Sequence, residues 1–403
     1  MKYALILELN QVDGNAFTLT AEYTEISVQR ITLFSLVWML LLPASLKCVA
    51  QNDQLEKARV IDPTASFLDV AGRRNEFKAA TDRRLRDALR DPRGCINAKR
   101  PVPPAGPMII PRHYLAGSAG PVNPQEAKAA KPYYELGDAV DFGAARYLAT
   151  GEHAEAACVA NLMTSWARAK ALLDYTAKED SQSWFQVEWV LSSISLGYSV
   201  VQSDASIAPD QKNAVLAWMH DVAEYMLAQD HATDLTKENN HGYWRALAAT
   251  SVGILTNDDT LYRRGLEQYL FAMGQMNSDG SLPMEMARHE NALHYQNFAL
   301  APLAMIAELA TRQGVDLYSL RVNGHTFMDG VNFLIKASTF PDVMKQYATE
   351  KQTFSLYSGD QQLAWLEFWV KRHPAPFWNT VLTKPLFDAR IGGNATLYAA
   401  PTH

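Results

Sequence analysis

The sequence predicts an all-α protein built from about ten to twelve paired helices. Three observations point there. Apolar residues recur at helical spacing along nearly all of the chain beyond residue 52. No stretch alternates polar and apolar residues in the manner of strands. The connections are short and carry Gly, Asn or Asp, as in TGEH, TNDD and NSDG, which makes neighbouring helices antiparallel. An array of helix pairs this long curls into a toroid or a solenoid, and its concave face is the natural cleft.

The first fifty residues stand apart. Ile31–Leu42 (ITLFSLVWMLLL) is an apolar run after Arg30, followed by Pro43 and by Cys48-Val49-Ala50, a small-x-small pattern. Residues 1–50 read as a signal peptide cleaved after Ala50, and the run is short for a membrane span. Lys47 precedes Cys48 where a lipid-attachment signal carries a small residue. Glu8, Asp13, Glu22 and Glu25 do not suit the basic start of a signal peptide, so translation is expected to begin nearer Val28.

Residues 51–403 show no break in composition and read as one all-α domain. Helical patterns cover about 66–90, 133–149, 153–175, 182–202, 209–229, 242–255, 258–275, 289–312, 325–337 and 361–372. In the 209–229 pattern Pro209 suits a first turn, and Val215, Leu216, Met219, Val222, Ala223, Met226 and Leu227 form one apolar stripe. Two stretches resist the pattern. Residues 99–128 are rich in Pro and Gly, and so long a loop in a compact domain is usually functional, as a lid is. Residues 373–403 are irregular and contain Arg390-Ile-Gly-Gly.

Composition narrows the function. The net charge is -6, which implies no general affinity for nucleic acid or an anionic membrane, although a local cluster of Arg, Lys and Asn can still hold a polyanion. Nine Trp and seventeen Tyr suit a carbohydrate cleft, but most are expected in the core. Cys95 and Cys158 remain after export into an oxidising compartment and are expected to form one disulfide. There is no HExxH, CxxC, GxSxG, P-loop or GxGxxG, so metal, nucleotide and serine-hydrolase chemistry lack support. A glycosidase pair of carboxylates stays open, since any two acids can face each other across a cleft.

Two segments carry candidate chemistry. In KENNHGYWRA (237–246), Asn239 or Asn240 stands before an apolar-periodic helix, as an N-cap does, and His241 follows in the first turn. In SLPMEMARHENALHYQNFALAPLAMIAEL (281–309) a loop feeds a helix with a kink expected at Pro302. Arg288 and Tyr295 are two helical turns apart, on one face and about 10 Å from each other, a spacing that brackets one sugar unit.

These segments resemble the all-α periplasmic lyases that cleave polymannuronate in alginate-producing bacteria. NNHGYW is similar to the family's Asn-Asn-His-x-Tyr-Trp, and 280–309 is similar to its Gly-x-Leu-Pro…Arg-x(6)-Tyr-x-Asn segment. NLMTSWARAKAL (161–172), LAWLE (363–367), RIGG (390–393) and the placement of Cys95 and Cys158 agree in order, so the likeness runs from about 92 to 395.

The resemblance implies an incomplete (α/α) toroid with a deep cleft and a lid loop, in a periplasmic monomer that needs no cofactor and no metal. It implies β-elimination on an anionic polyuronate, with Asn240, His241, Arg288 and Tyr295 as the catalytic set. Asn240 and Arg288 suit neutralisation of the uronate carboxylate, where donors must meet developing charge. Tyr295 is the general acid, and either His241 or Tyr295 is the base. Tyr114 matches a lid tyrosine; Gln182, Trp189, Trp244 and Arg390 match sugar-binding positions. Phe185, His289, Glu290 and His294 depart from the pattern, and this bears on which polyuronate is cut. Polyglucuronate and hyaluronan are the alternatives, and a non-catalytic polyuronate-binding toroid is another.

Overall fold

Helix burial sorts the molecule into two layers. The computed structural model describes residues 8–12, 16–20, 55, 57–116, 119–177, 181–230 and 235–403. Among the described residues β1 (Glu8–Val12) and β2 (Ala16–Thr20) pair antiparallel within residues 1–47, a unit of its own. The expected signal run Ile31–Leu42 and the cleavage point after Ala50 lie outside the described residues. No described helix is long and apolar enough to cross a membrane.

In the larger unit α1 (Val70–Glu76) and α2 (Arg83–Leu89) come first. One helix was expected over 66–90. It is broken because Ala80 turns extended and the Asp82 side chain caps a new start by accepting from the Leu85 N–H.

A small hairpin follows, β3 (Tyr114–Ala116) with β4 (Ala119–Val122). The Pro/Gly-rich loop is therefore shorter than expected. Helix α3 (Pro124–Thr150) begins nine residues before the predicted start at 133, because Asn123 accepts from the Gln125 N–H and Pro124 fits the first turn. Pro132 lies inside α3, where it loses a hydrogen bond and crowds the carbonyl four residues back, and packing of α3 along its neighbours carries the helix through. Gly151, at φ 77°, stops it.

The remaining long helices alternate between layers. The inner layer is α3, α5 (Ser181–Val201), α7 (Asn240–Thr256) and, after the short α9 (Pro283–Met286), α10 (Ala292–Arg312); each packs on the next. The outer layer is α4 (His153–Arg168), α6 (Pro209–Ala228), α8 (Asp259–Gln275) and α11 (Phe327–Thr339), packed against the inner one. Burial follows the layers. On α7 every residue from Gly242 to Leu255 is buried, and on α10 every residue from Gln296 to Ala310. On α8 only one stripe is buried, through Leu261, Tyr262, Leu266, Tyr269 and Met273. This is the expected incomplete α/α toroid. The irregular C-terminal part contains α12 (Leu366–Arg372), α13 (Trp378–Val381) and α14 (Ala395–Ala399).

Cys95 and Cys158 are disulfide-bonded, with a sequence separation of 63. The bond ties the start of the lid segment to α4.

Candidate active site

The N-terminal halves of three inner helices wall a cleft of about 400 Å³. α5 contributes Gln182, Phe185 and Trp189; α7 contributes Asn240 and His241; α10 contributes His294, Tyr295 and Phe298. Arg288, Tyr134, Gln362 and Arg390 complete the wall, and Arg112, His113 and Tyr114 reach in from the lid segment. The positive ends of the helix dipoles point at this space, which favours an anion, although the Asn240 and His241 N–H groups are already paired within the protein. Three Arg and three His line the cleft, and no Asp or Glu does among the described residues. The three arginines make this pocket positive in a chain of net charge -6, without a charge on His241. A carboxylate pair for glycoside hydrolysis is not present on this wall.

Asn239 is the N-cap of α7: its Oδ1 accepts from the His241 N–H at 2.9 Å. That frees Asn240, which is fully buried at the cleft wall. Its backbone N–H and its Nδ2 both donate to Glu285, at 2.6 and 3.2 Å. Gly242 lets this turn close, since a Cβ there would collide with the backbone carbonyl of Lys237.

His241 is clamped from two sides. Its Nδ1 lies 2.5 Å from Glu188 Oε1, and its ring stacks on Phe185 with centroids 3.6 Å apart. Burial, helped by the Arg245 and Arg288 charges, holds the imidazole well below the usual histidine range. Glu188 opposes this, but its other oxygen is 3.4 Å from Arg245, so its charge is already shared. A neutral ring donating Nδ1–H to Glu188 keeps Nε2 as a free acceptor.

Arg288 and Tyr295 meet, though not as spacing suggested. His289 adopts φ 51° and residues 289–291 form a 3-10 turn, so Arg288 lies off the helix that carries Tyr295. The guanidinium sits over the Tyr295 ring, 4.7 Å from its centroid. Burial, then the hydrogen bond with Tyr114, pushes the Tyr295 phenol well above its ordinary value, and Arg288 opposes only partly. Tyr295 is held protonated. The two hydroxyls, Tyr114 and Tyr295, lie 3.4 Å apart, which brings the lid to the centre of the cleft.

Gln182, Trp189 and Arg390 line the cleft as expected. Trp244 does not. It is fully buried and packs on Phe298, ring centroids 5.1 Å apart, so it is a core residue and no sugar platform. Trp244 lies almost a full turn further along α7 than His241, where α7 packs on α10, so its ring is enclosed between the two helices.

Sequence reasoning missed Glu188 and Glu285. Glu188 is the only charged residue in α5, a signal that was there to be read. His113, close to Glu126 at 3.4 Å, and Tyr134 were missed as well. Among the described residues one trio, His220, Glu224 and Asp258, brings possible metal donors within 4.8 Å of one another. None of the three lines the cleft.

A family model described as alginate lyase matches residues 70–343. A polysaccharide lyase of Stenotrophomonas maltophilia is 32% identical over 308 residues, 74% of this chain and 90% of that one. An alginate lyase of Pseudomonas syringae pv. syringae is 31% identical over 270 residues, 64% of this chain and 69% of the relative. Among solved structures, alginate lyase A1-III of Sphingomonas species A1 is 39% identical, with a TM-score of 0.80 over 86% of this chain and 98% of that one. Two variants of A1-III, one with a histidine replaced by alanine and one with a tyrosine replaced by phenylalanine, are complexed with tetrasaccharide. Both superpose with a TM-score of 0.82.

Proposed function

The chain belongs to the alginate lyase family, and from that premise we propose that it cleaves poly(β-D-mannuronate) by β-elimination, leaving unsaturated uronate ends. The observation that carries this reading is the convergence of Asn240, His241, Arg288 and Tyr295, from two separate segments, on one cationic cleft.

The chemistry follows from the residue types. The C5 proton of a uronate is weakly acidic, and its removal places charge on the neighbouring carboxylate. Asn240, Arg288 and the N-terminus of α7 neutralise that charge as it develops. His241, neutral and with Nε2 free, takes the C5 proton. Tyr295, held protonated, gives its proton to O4. The C5–H and C4–O4 bonds break, the C4–C5 double bond forms, and solvent returns the proton from His241 to Tyr295. In mannuronate H5 and O4 leave from one face of the ring, which suits two groups on one cleft wall. Tyr114 closes the lid over the chain, while Gln182, Trp189 and Arg390 hold neighbouring sugars. The exchanged histidine and tyrosine of the tetrasaccharide-bound A1-III variants are of the same residue types as the base and acid assigned here.

In this reading residues 1–50 are removed on export and 51–403 act in the periplasm as a single-domain monomer. A lyase for another polyuronate is the second reading. Phe185 favours it, because an apolar ring flat on His241 offers no hydroxyl to an incoming sugar.

The test is a panel of polymannuronate, polyglucuronate and hyaluronan, followed by the ultraviolet absorbance of the unsaturated ring and by product masses. Polymannuronate is expected to give the fastest rise. No rise with any of them, at any pH from about 5 to 9, rejects the lyase reading and leaves a binding protein.

A further inference from the structure

Behind Asn240, away from the cleft, a carboxyl group is sealed into the protein. Glu285 on α9 is fully buried. Its Oε1 accepts from the Asn240 backbone N–H at 2.6 Å and from Nδ2 at 3.2 Å, and its Oε2 accepts from Nδ2 at 3.1 Å. The other end of the same amide, Oδ1, is buried and has no hydrogen-bond partner among the described residues. With its NH2 spent on Glu285, Asn240 turns an oxygen away from Glu285. An oxygen accepts hydrogen bonds only, so it repels the uronate carboxylate that Asn240 is assigned to neutralise.

A half turn of the amide exchanges its two ends with almost no change of shape. The exchanged state needs a donor on Glu285. A protonated carboxyl provides it: one oxygen still accepts from the Asn240 N–H, and the O–H of the other donates to Oδ1. The backbone link and a side-chain link to Glu285 are kept, Oδ1 gains its partner, and the NH2 is freed from Glu285.

We propose that Glu285 is a positioning residue for this site: as the neutral acid it holds Asn240 by Oδ1 and turns the amide NH2 toward the substrate carboxylate, and as the carboxylate it withdraws that NH2. This rests on the lyase reading above. The surroundings suit a proton on Glu285. Burial pushes its carboxyl up to about 7, against the pull of Arg288. The other titratable groups that feel it are Tyr243 of α7 and Tyr295 of α10, both neutral phenols. A substrate carboxylate arriving beside Asn240 adds negative charge and favours the neutral acid further.

The experiment compares kcat/KM against pH for wild type, Glu285→Gln and Glu285→Ala. Glutamine reproduces the neutral acid permanently, since its oxygen accepts from the Asn240 N–H and its NH2 donates to Oδ1. Wild-type kcat/KM is expected to fall about tenfold per pH unit above about 7. Glu285→Gln keeps the low-pH value within about threefold and loses that fall, while Glu285→Ala loses at least about tenfold in kcat at every pH. A wild-type profile that stays flat through this range, or a Glu285→Gln profile with the same alkaline fall, overturns the proposal. Infrared difference spectra provide a readout without activity: a protonated-carboxyl band lost as pH rises through about 7 in wild type and missing in Glu285→Gln. If wild type makes no unsaturated product from any polyuronate, the lyase reading fails alone. The infrared titration then still decides whether Glu285 carries the proton, and its absence rejects the switch.

Discussion

Arg288 lies over the face of Tyr295, its guanidinium carbon 4.7 Å from the ring centroid. The contact fixes the phenol in the cleft and leaves the guanidinium edge free for a carboxylate. Tyr295→Phe keeps that contact and removes only the hydroxyl. It is expected to lower kcat by about 10²–10⁴-fold, with KM and melting temperature little changed. Steady-state kinetics beside a thermal melt check it, and near-normal turnover would sink the acid role.

His241 sets the acidic limb. Its ring is held neutral by burial and by two arginines, so kcat/KM is expected to hold on the acid side until well below the ordinary histidine pKa of about 6.5. The same lowered value acts on stability. The unfolded chain binds the proton first, so stability is full above about 6.5 and is lost as pH falls below it. His241→Asn is therefore expected to lose less melting temperature than wild type between neutral and acidic buffer.

Glu285 acts with the opposite sign. Its carboxyl is raised in the folded protein, so the unfolded chain ionises first and stability is lost as pH rises toward about 7. Relative to wild type, Glu285→Gln is expected to gain melting temperature in alkaline buffer and not in acid. An equal shift at both ends counts against a buried, raised carboxyl.

Two tryptophans near the site are expected to behave differently. Trp244→Ala opens a core cavity and should cost about 3–5 kcal/mol of stability. Trp189 lines the cleft, so Trp189→Ala should raise KM more than it lowers the melting temperature. Denaturant unfolding and kinetics on the same two proteins separate the roles.

Removing the Cys95–Cys158 bond frees a loop of 63 residues, for which chain entropy gives about 4 kcal/mol. Melting with and without reductant is expected to show a drop of several degrees, and Cys158→Ala should show the same drop without responding to reductant.

Much of this was legible in the sequence where a helix is amphipathic and capped by its own neighbours. The bounds of α6 and α8 follow from the apolar stripe, and the Asn239 cap from residue type. What escaped depended on a single backbone choice or on a distant partner. The pattern read from 133 starts nine residues earlier, because the cost of Pro132 is local, whereas the reward for a longer α3 comes from α5 packed along it. Arg288 left the expected helix because His289 adopts φ 51°, which side-chain periodicity does not encode. Trp244 and Glu285 were misread or missed because their roles are set by Phe298 and Asn240, which only folding brings near.

Gly242 carries a practical consequence for anyone diversifying this cleft. A methyl group there meets the Lys237 backbone, which cannot swing aside as a side chain can. Positions 239 to 242 are thus a frame to leave unrandomised, while 185, 189 and 294 are panels that can be exchanged. A library that respects the difference spends its diversity on which sugar is accepted, and a lone Gly242→Ala serves as a blank with every reacting group still encoded.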